Sequence, residues 1–254
     1  MMEPEQIQPM SVRELFKNAM RKGKEIFSLS LIGNFVIIAL FSTIVFILYD
    51  YLESIEVNNT QLNTLGIINN MLFISLTSVN VFYLLVNKED QSFMEKVKSS
   101  LLKTLKMMPT LLATTIVFSI FVTLGFALLL IPGLILFTYL GIYAQTIAFE
   151  NQGIIASLLR SRDLVKGSFW KVFGVLVSLF ILTTLTILII AILIGTIIPA
   201  NYLWLEVLIY CISYSLMMPF IGSIYTLLYF DLRARQEAFD YNTFENEQKK
   251  IATF

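Results

Sequence analysis

The sequence predicts an all-α integral membrane protein: six transmembrane helices forming three helical hairpins, each preceded by an amphipathic interfacial helix. Two observations carry this expectation. Hydrophobic residues fill 57% of the 254 positions and charged residues only 14%, with a mean hydropathy of +0.76, which excludes an ordinary soluble domain. Six long apolar runs divide the chain, and its 18 Lys and Arg residues fall before the first run, around the junctions after the second and fourth, and after the sixth. The loops after the first, third and fifth runs carry Asp50, Glu53, Glu56 and Glu206 but no cation. Short loops with that bias fix orientation, because Lys and Arg are retained on the cytoplasmic face. The expected location is therefore the bacterial plasma membrane, with both termini cytoplasmic. The first run is long enough to span and lacks a small-residue cleavage pattern, so it reads as a retained anchor.

A span takes about 20 apolar residues for a hydrocarbon core of about 30 Å, which places the six near 27–49, 64–86, 109–130, 134–149, 169–198 and 203–229. The first is introduced by a basic amphipathic helix in which Val12, Leu15, Phe16, Ala19 and Met20 share a face and Ser11 with Glu14 forms a capping box. The third follows a stripe of Phe93, Val97, Leu101, Leu105 and Met108 opposite Lys96, Lys103 and Lys106. Pro132 and Gly133 are expected to close the tight turn into the fourth span, since proline lacks a donor and glycine accepts positive φ. A third amphipathic stretch sets Ile155, Leu158, Leu159 and Val165 against Arg160, Arg162, Asp163 and Lys166. Pro199-Ala200-Asn201 turns the chain between the last two spans. Such helices lie in the interface plane with their cations toward lipid head groups. The pattern is one unit used three times, over 11–86, 92–149 and 151–229, within a single membrane domain spanning 1–240. Residues 241–254 are polar and read as a flexible cytoplasmic tail.

Composition also removes chemistries. The chain has no histidine, which eliminates Ser-His-Asp catalysis, HExxH zinc helices and His proton shuttles. Its one cysteine, Cys211, lies inside the sixth apolar run, where it reads as a small buried apolar residue. Metal-ligand spacings, phosphate-binding Gly-rich loops and paired pocket carboxylates are missing, so no catalytic residue, metal or cofactor is expected. Cations are dispersed and interleaved with acids, which argues against nucleic acid as a partner. The expected partners are the phospholipid bilayer, through anionic head groups, and another membrane protein.

Two stretches carry a resemblance. One runs from Ile131-Pro132-Gly133 through Glu150-Asn151-Gln152-Gly153 to Ser161, Lys166, Gly167 and Trp170; the other is Tyr225-Thr226-Leu227-Leu228-Tyr229-Phe230-Asp231-Leu232-Arg233. Together they resemble the membrane domain of the glycerophosphoryl diester phosphodiesterase family and its stand-alone six-span bacterial relatives. The resemblance implies fold and location. It does not imply hydrolysis, which in two-part members belongs to a separate soluble barrel that uses His.

Glu150 is the acid nearest membrane depth, and Arg160, Arg162, Asp231 and Arg233 are the charges within its expected reach on the inner face. Such a cluster either locks the hairpins together or grips a phosphate head group, for which the planar guanidinium fork is suited. Mid-depth, the spans carry no Asp, Glu, Lys or Arg, which argues against proton coupling. Asn80 and Gln145 are the candidate members of an intramembrane polar path, with interhelical hydrogen bonding as the competing reading. Trp170, Tyr202 and Trp204 fit an interfacial aromatic belt. The function expected is therefore a non-catalytic multi-pass protein acting through lipid or protein contacts, in an accessory, envelope-homeostasis or membrane-protection role. The alternative is a transporter or channel for lipids or small amphipathic molecules. A membrane enzyme acting on lipid head groups would rest on the family likeness alone.

Overall fold

The computed structural model describes residues 2–54, 59–86, 92–195 and 203–251. After a short 3-10 turn at Pro4–Gln6 come α1 (Val12–Glu25), α2 (Phe27–Ser54), α3 (Asn59–Val86), α4 (Phe93–Leu128), α5 (Leu130–Leu140), α6 (Tyr143–Glu150), α7 (Ile154–Val165), α8 (Phe169–Gly195), α9 (Leu203–Glu237) and α10 (Tyr241–Ile251). Six segments are long and apolar enough to cross a membrane, in α2, α3, α4, α5 with α6, α8 and α9. The chain is thus a multi-pass, all-helical membrane protein among its described residues. The turn expected at Pro199-Ala200-Asn201, Glu56 and Tyr202 lie outside those residues.

The spans are not equally enclosed. In α3 and α9, 72% of the apolar window is buried, against 18% in α8, so α3 and α9 form the centre and α8 faces outward. α3 packs on α2, α4, α6 and α9. Close approach at this centre depends on glycine: a Cβ on Gly222 of α9 would stand 2.6 Å from Val81 Cβ of α3.

Several expectations change at element boundaries. The amphipathic stretch before the third span is not a separate helix, because α4 runs unbroken from Phe93 through Pro109 to Leu128. Proline removes one backbone donor there without ending the helix. The third turn falls at Leu129, whose extended backbone separates α4 from α5. Pro132 and Gly133 therefore occupy the first turn of α5, not the connection. Gly133 has a packing role instead: the Phe126 ring of α4 leaves no room for a Cβ on it, and its own backbone leaves none for one on Gly125. The tail is the third correction. Its described part is the helix α10, capped by Asp240, whose Oδ1 accepts from the Thr243 N–H at 2.9 Å. Phe244 of this helix is buried. A buried aromatic supplies the apolar anchor that polar composition had hidden.

The fourth span is broken at Gly141-Ile142, between α5 and α6. Ser161 of α7 repairs the break: its hydroxyl accepts from the Ile142 N–H at 3.1 Å and donates to the Tyr139 carbonyl at 2.9 Å. A break in apolar surroundings needs such partners. α7 consequently packs against α5 and α6 with Leu158 and Val165 buried, while Ile155 and Leu159 on the same stripe stay exposed.

Candidate functional site

Charged side chains gather at the end of the bundle shared by the N-terminal segment, α7, the C-terminal turns of α9, and α10. Among the described residues, Glu3 pairs with Arg21 and Lys22 on α1, and two further clusters bind α9 to its neighbours. The first is built on Glu150, the last residue of α6. Asn151 adopts left-handed φ of 51°, ending the helix, and Gly153 caps α7, so the chain doubles back and returns Arg160 over Glu150. Arg160 Nε donates to both carboxylate oxygens, at 2.8 and 3.0 Å. The Tyr229 hydroxyl of α9 donates to Oε1 at 2.8 Å. One turn on, Arg233 Nε stands 4.0 Å from the same oxygen. Arg233 also donates to Glu237 at 2.9 Å and to Glu247 of α10 at 2.8 Å. Glu237 pairs with Arg160 as well, closing the network. Partial burial works against the Arg160 cation, but its bonds to Glu237 and Glu150 outweigh that and hold its pKa above the ordinary arginine value.

The second cluster is centred on Asp231, which is fully buried. Its carboxylate accepts from Lys171 Nζ at 2.5 Å, from Arg235 Nε at 3.1 Å and from the Met10 N–H at 2.6 Å. Lys171 and Arg235 in turn donate to the Met10 carbonyl, at 2.6 and 2.7 Å. This arrangement ties the N-terminal segment to α8 and α9.

The five inner-face charges singled out from sequence therefore separate. Glu150, Arg160 and Arg233 come together. Asp231 belongs to the other network, because it points from a different face of α9 than Arg233 does. Arg162 is exposed and joins neither. Sequence reading missed Glu237, Glu247, Lys171, Arg235 and Tyr229. The i,i+4 pairs Arg233–Glu237 and Asp231–Arg235 carried a legible helical signal. The Lys171, Met10 and Glu247 contacts span the chain and carried none.

Beside the first cluster lies a cavity of about 420 Å³. Lys103 and Lys106 of α4 and Arg233 of α9 contribute positive charge to its wall, Glu150 of α6 and Glu247 of α10 contribute negative charge, and Tyr83 and Phe149 contribute aromatic surface. Lys103 Nζ lies 5.7 Å from the Tyr83 ring centre, and the Arg233 guanidinium 5.3 Å from that of Phe149. Three cations against two carboxylates, both of them near Arg233, leave the Lys103 and Lys106 side of this space cationic over an apolar floor, which suits an anion attached to something greasy.

The interior polar residues behave differently. Asn80 Nδ2 of α3 donates to Asn34 Oδ1 of α2 at 2.9 Å, and Asn34 Nδ2 to Ser30 at 2.8 Å. Gln145 Nε2 of α6 donates to the Ser78 hydroxyl of α3 at 3.3 Å. The Tyr143 hydroxyl joins Ser75 and Thr115 at 2.5 and 2.8 Å. Asn80 and Gln145 thus bond neighbouring helices, on different helix pairs, and each leaves its amide oxygen buried without a protein partner. A void of about 70 Å³ borders Gln145, too small for a lipid path. Trp170 is 79% exposed at the start of α8, in keeping with an interfacial position.

No curated protein and no solved structure matches the chain. A sequence profile does: that of a domain of unknown function, DUF7847, covers residues 11–230, from the cap of α1 to Phe230 of α9, one residue short of Asp231, and the chain belongs to that family.

Proposed function

We propose that this protein is a non-catalytic, multi-pass protein of the bacterial plasma membrane that binds the phosphate of anionic phospholipid head groups at its cationic inner face. The observation that carries this reading is the cavity of about 420 Å³ in which Lys103, Lys106 and Arg233 outnumber the carboxylates Glu150 and Glu247. Phosphate is recognised by charge-assisted bonds from such groups, and the aromatic floor accepts the glycerol and upper acyl region. In this reading the cavity-bearing end faces the cytoplasm, following the Lys and Arg bias. The resemblance to the membrane domain of the glycerophosphoryl diester phosphodiesterase family is compatible with it, and an accessory or protective role in the envelope would follow from lipid binding without turnover.

The same reading arranges the spans as three hairpins related by approximate threefold symmetry. Burial supports it. The second span of each pair is more enclosed than the first: 72% against 33%, 44% against 39%, and 72% against 18%. Repeats around a common axis would place the second span of each pair nearer that axis than the first in this way.

Lipid retention tests the function. In nanodiscs mixing phosphatidylglycerol with phosphatidylcholine, native mass spectrometry should find the anionic lipid preferentially retained. Replacing both Lys103 and Lys106 with Ala should erase the preference. Equal retention by the parent and the double variant overturns the proposal. The alternative, a path for lipids or small amphipathic molecules, draws support from the unpaired amide oxygens of Asn80 and Gln145. Solute or lipid movement by purified protein in liposomes, lost in Gln145→Leu, would favour it instead.

A further inference from the structure

We propose that α10 is a built-in competitor for the head-group cavity, with the Glu247 carboxylate occupying the guanidinium edge that a phosphate would take. This inference rests on the cavity being an anion site. Arg233 Nη1 and Nη2 present their fork to the two oxygens of Glu247, at 2.8 and 3.4 Å, inside the wall of that cavity. A fork that accepts a carboxylate accepts phosphate by the same geometry. Glu237 stays on Arg233 Nε and on Arg160 whether α10 is present or not, since it belongs to α9. Glu247 is thus the anion that can be exchanged without dismantling the first cluster.

The attachment of α10 suits exchange. α9 ends at Glu237 and α10 starts at Tyr241, and between them Ala238 holds a left-handed φ of 49°. That region is costly for alanine, so the junction is held by what lies on either side of it. What lies beyond is short: Phe244 seated 5.3 Å from the Phe230 ring, Glu247 on Arg233, and Gln248 donating to the Val86 carbonyl. Removing the Glu247 contact leaves Phe244 packed on Phe149 and Phe230, the partly buried Tyr241 and one neutral hydrogen bond to hold the helix. A phosphate entering beside Lys103 and Lys106 would displace Glu247, and α10 would swing about Asp240, beyond the Phe239 ring that stays buried beneath Arg233.

Full-length protein in nanodiscs tests this, with Cys211→Ser as background and spin labels at two exposed positions, Asp163→Cys on α7 and Asn246→Cys on α10. In phosphatidylcholine alone, a single short distance is expected. Phosphatidic acid or phosphatidylglycerol in the disc should add a longer one. Inorganic phosphate added to phosphatidylcholine discs forms the other arm: opening there assigns a soluble phosphate, and opening only with anionic lipid assigns the head group. No new distance in either arm overturns the competitor. Glu247→Gln keeps the side chain's size, should show the longer distance without any anion, and should retain anionic lipid roughly tenfold more tightly, the size of one charge-assisted hydrogen bond. If Glu247→Gln retains lipid as the parent does, while replacing Lys103 and Lys106 still abolishes retention, the competitor falls and the cavity stands. If the lysine double variant retains lipid normally, the underlying anion site falls first.

Discussion

Removing the Glu150 carboxylate is the sharpest test of how the charged end of the bundle is held together. Its side chain is 14% exposed and accepts from Arg160 and from the fully buried Tyr229. A hydrogen bond to a charged group contributes about 1.5–3 kcal/mol, and orphaning a buried hydroxyl costs about 1–3 kcal/mol. Breaking an isolated buried ion pair costs about 3–5 kcal/mol because a bare charge is left behind. Here that does not happen: Arg160 keeps Glu237, and Arg233 keeps Glu237 and Glu247. Arg160 is also one-quarter exposed, which lets water share the loss. Glu150→Ala should therefore destabilise by about 3 kcal/mol, at the bottom of the buried-pair range, and Tyr229→Phe by about 1 kcal/mol. The double variant should cost less than the two singles combined, because both remove the same bond. Asp163→Ala, at an exposed position of α7, serves as the control and should stay within about 0.5 kcal/mol. Reversible unfolding in mixed micelles measures all four. Glu150→Ala matching the control, or strict additivity with Tyr229→Phe, refutes the reasoning.

Three other outcomes are expected. Asp231→Asn should cost about 3–5 kcal/mol, since Lys171 and Arg235 would face each other without the carboxylate, and limited proteolysis should find residues 1–11 newly cleavable. Gly133→Ala should lower the melting temperature through a clash with Phe126, at a cost of about 1–3 kcal/mol, whereas Gly174→Ala, with no neighbour within 4 Å, should leave it unchanged or raise it. Acid should loosen α10. The Thr243 hydroxyl and N–H hold the Asp240 carboxyl below the ordinary aspartate range. A depressed folded pKa confers stability that is full above the unfolded value and is lost as pH falls through the folded one, below about 4. Hydrogen exchange over Tyr241–Ile251 should accelerate there in the parent, and at all pH values in Asp240→Ala.

Hydropathy alone determined the number of spans and their approximate limits, because a run long enough to cross hydrocarbon is a one-dimensional property. The capping boxes at Ser11 and Ser92 are equally local and close as helix propensity dictates. The Arg233–Glu237 and Asp231–Arg235 pairs were within reach of helical spacing, since side chains four residues apart share a face. Tertiary structure decided what spacing does not encode. It split Asp231 from Arg233 by pointing them to different neighbours, moved the hairpin turn from Pro132 to Leu129, and set Ser161 into the broken backbone of the fourth span. It also folded a polar tail onto the cavity, because one phenylalanine and one glutamate found partners brought near only by the packed bundle. Lipid demands that backbone and charge be satisfied inside the protein, and which distant side chain does so is settled only when the helices meet.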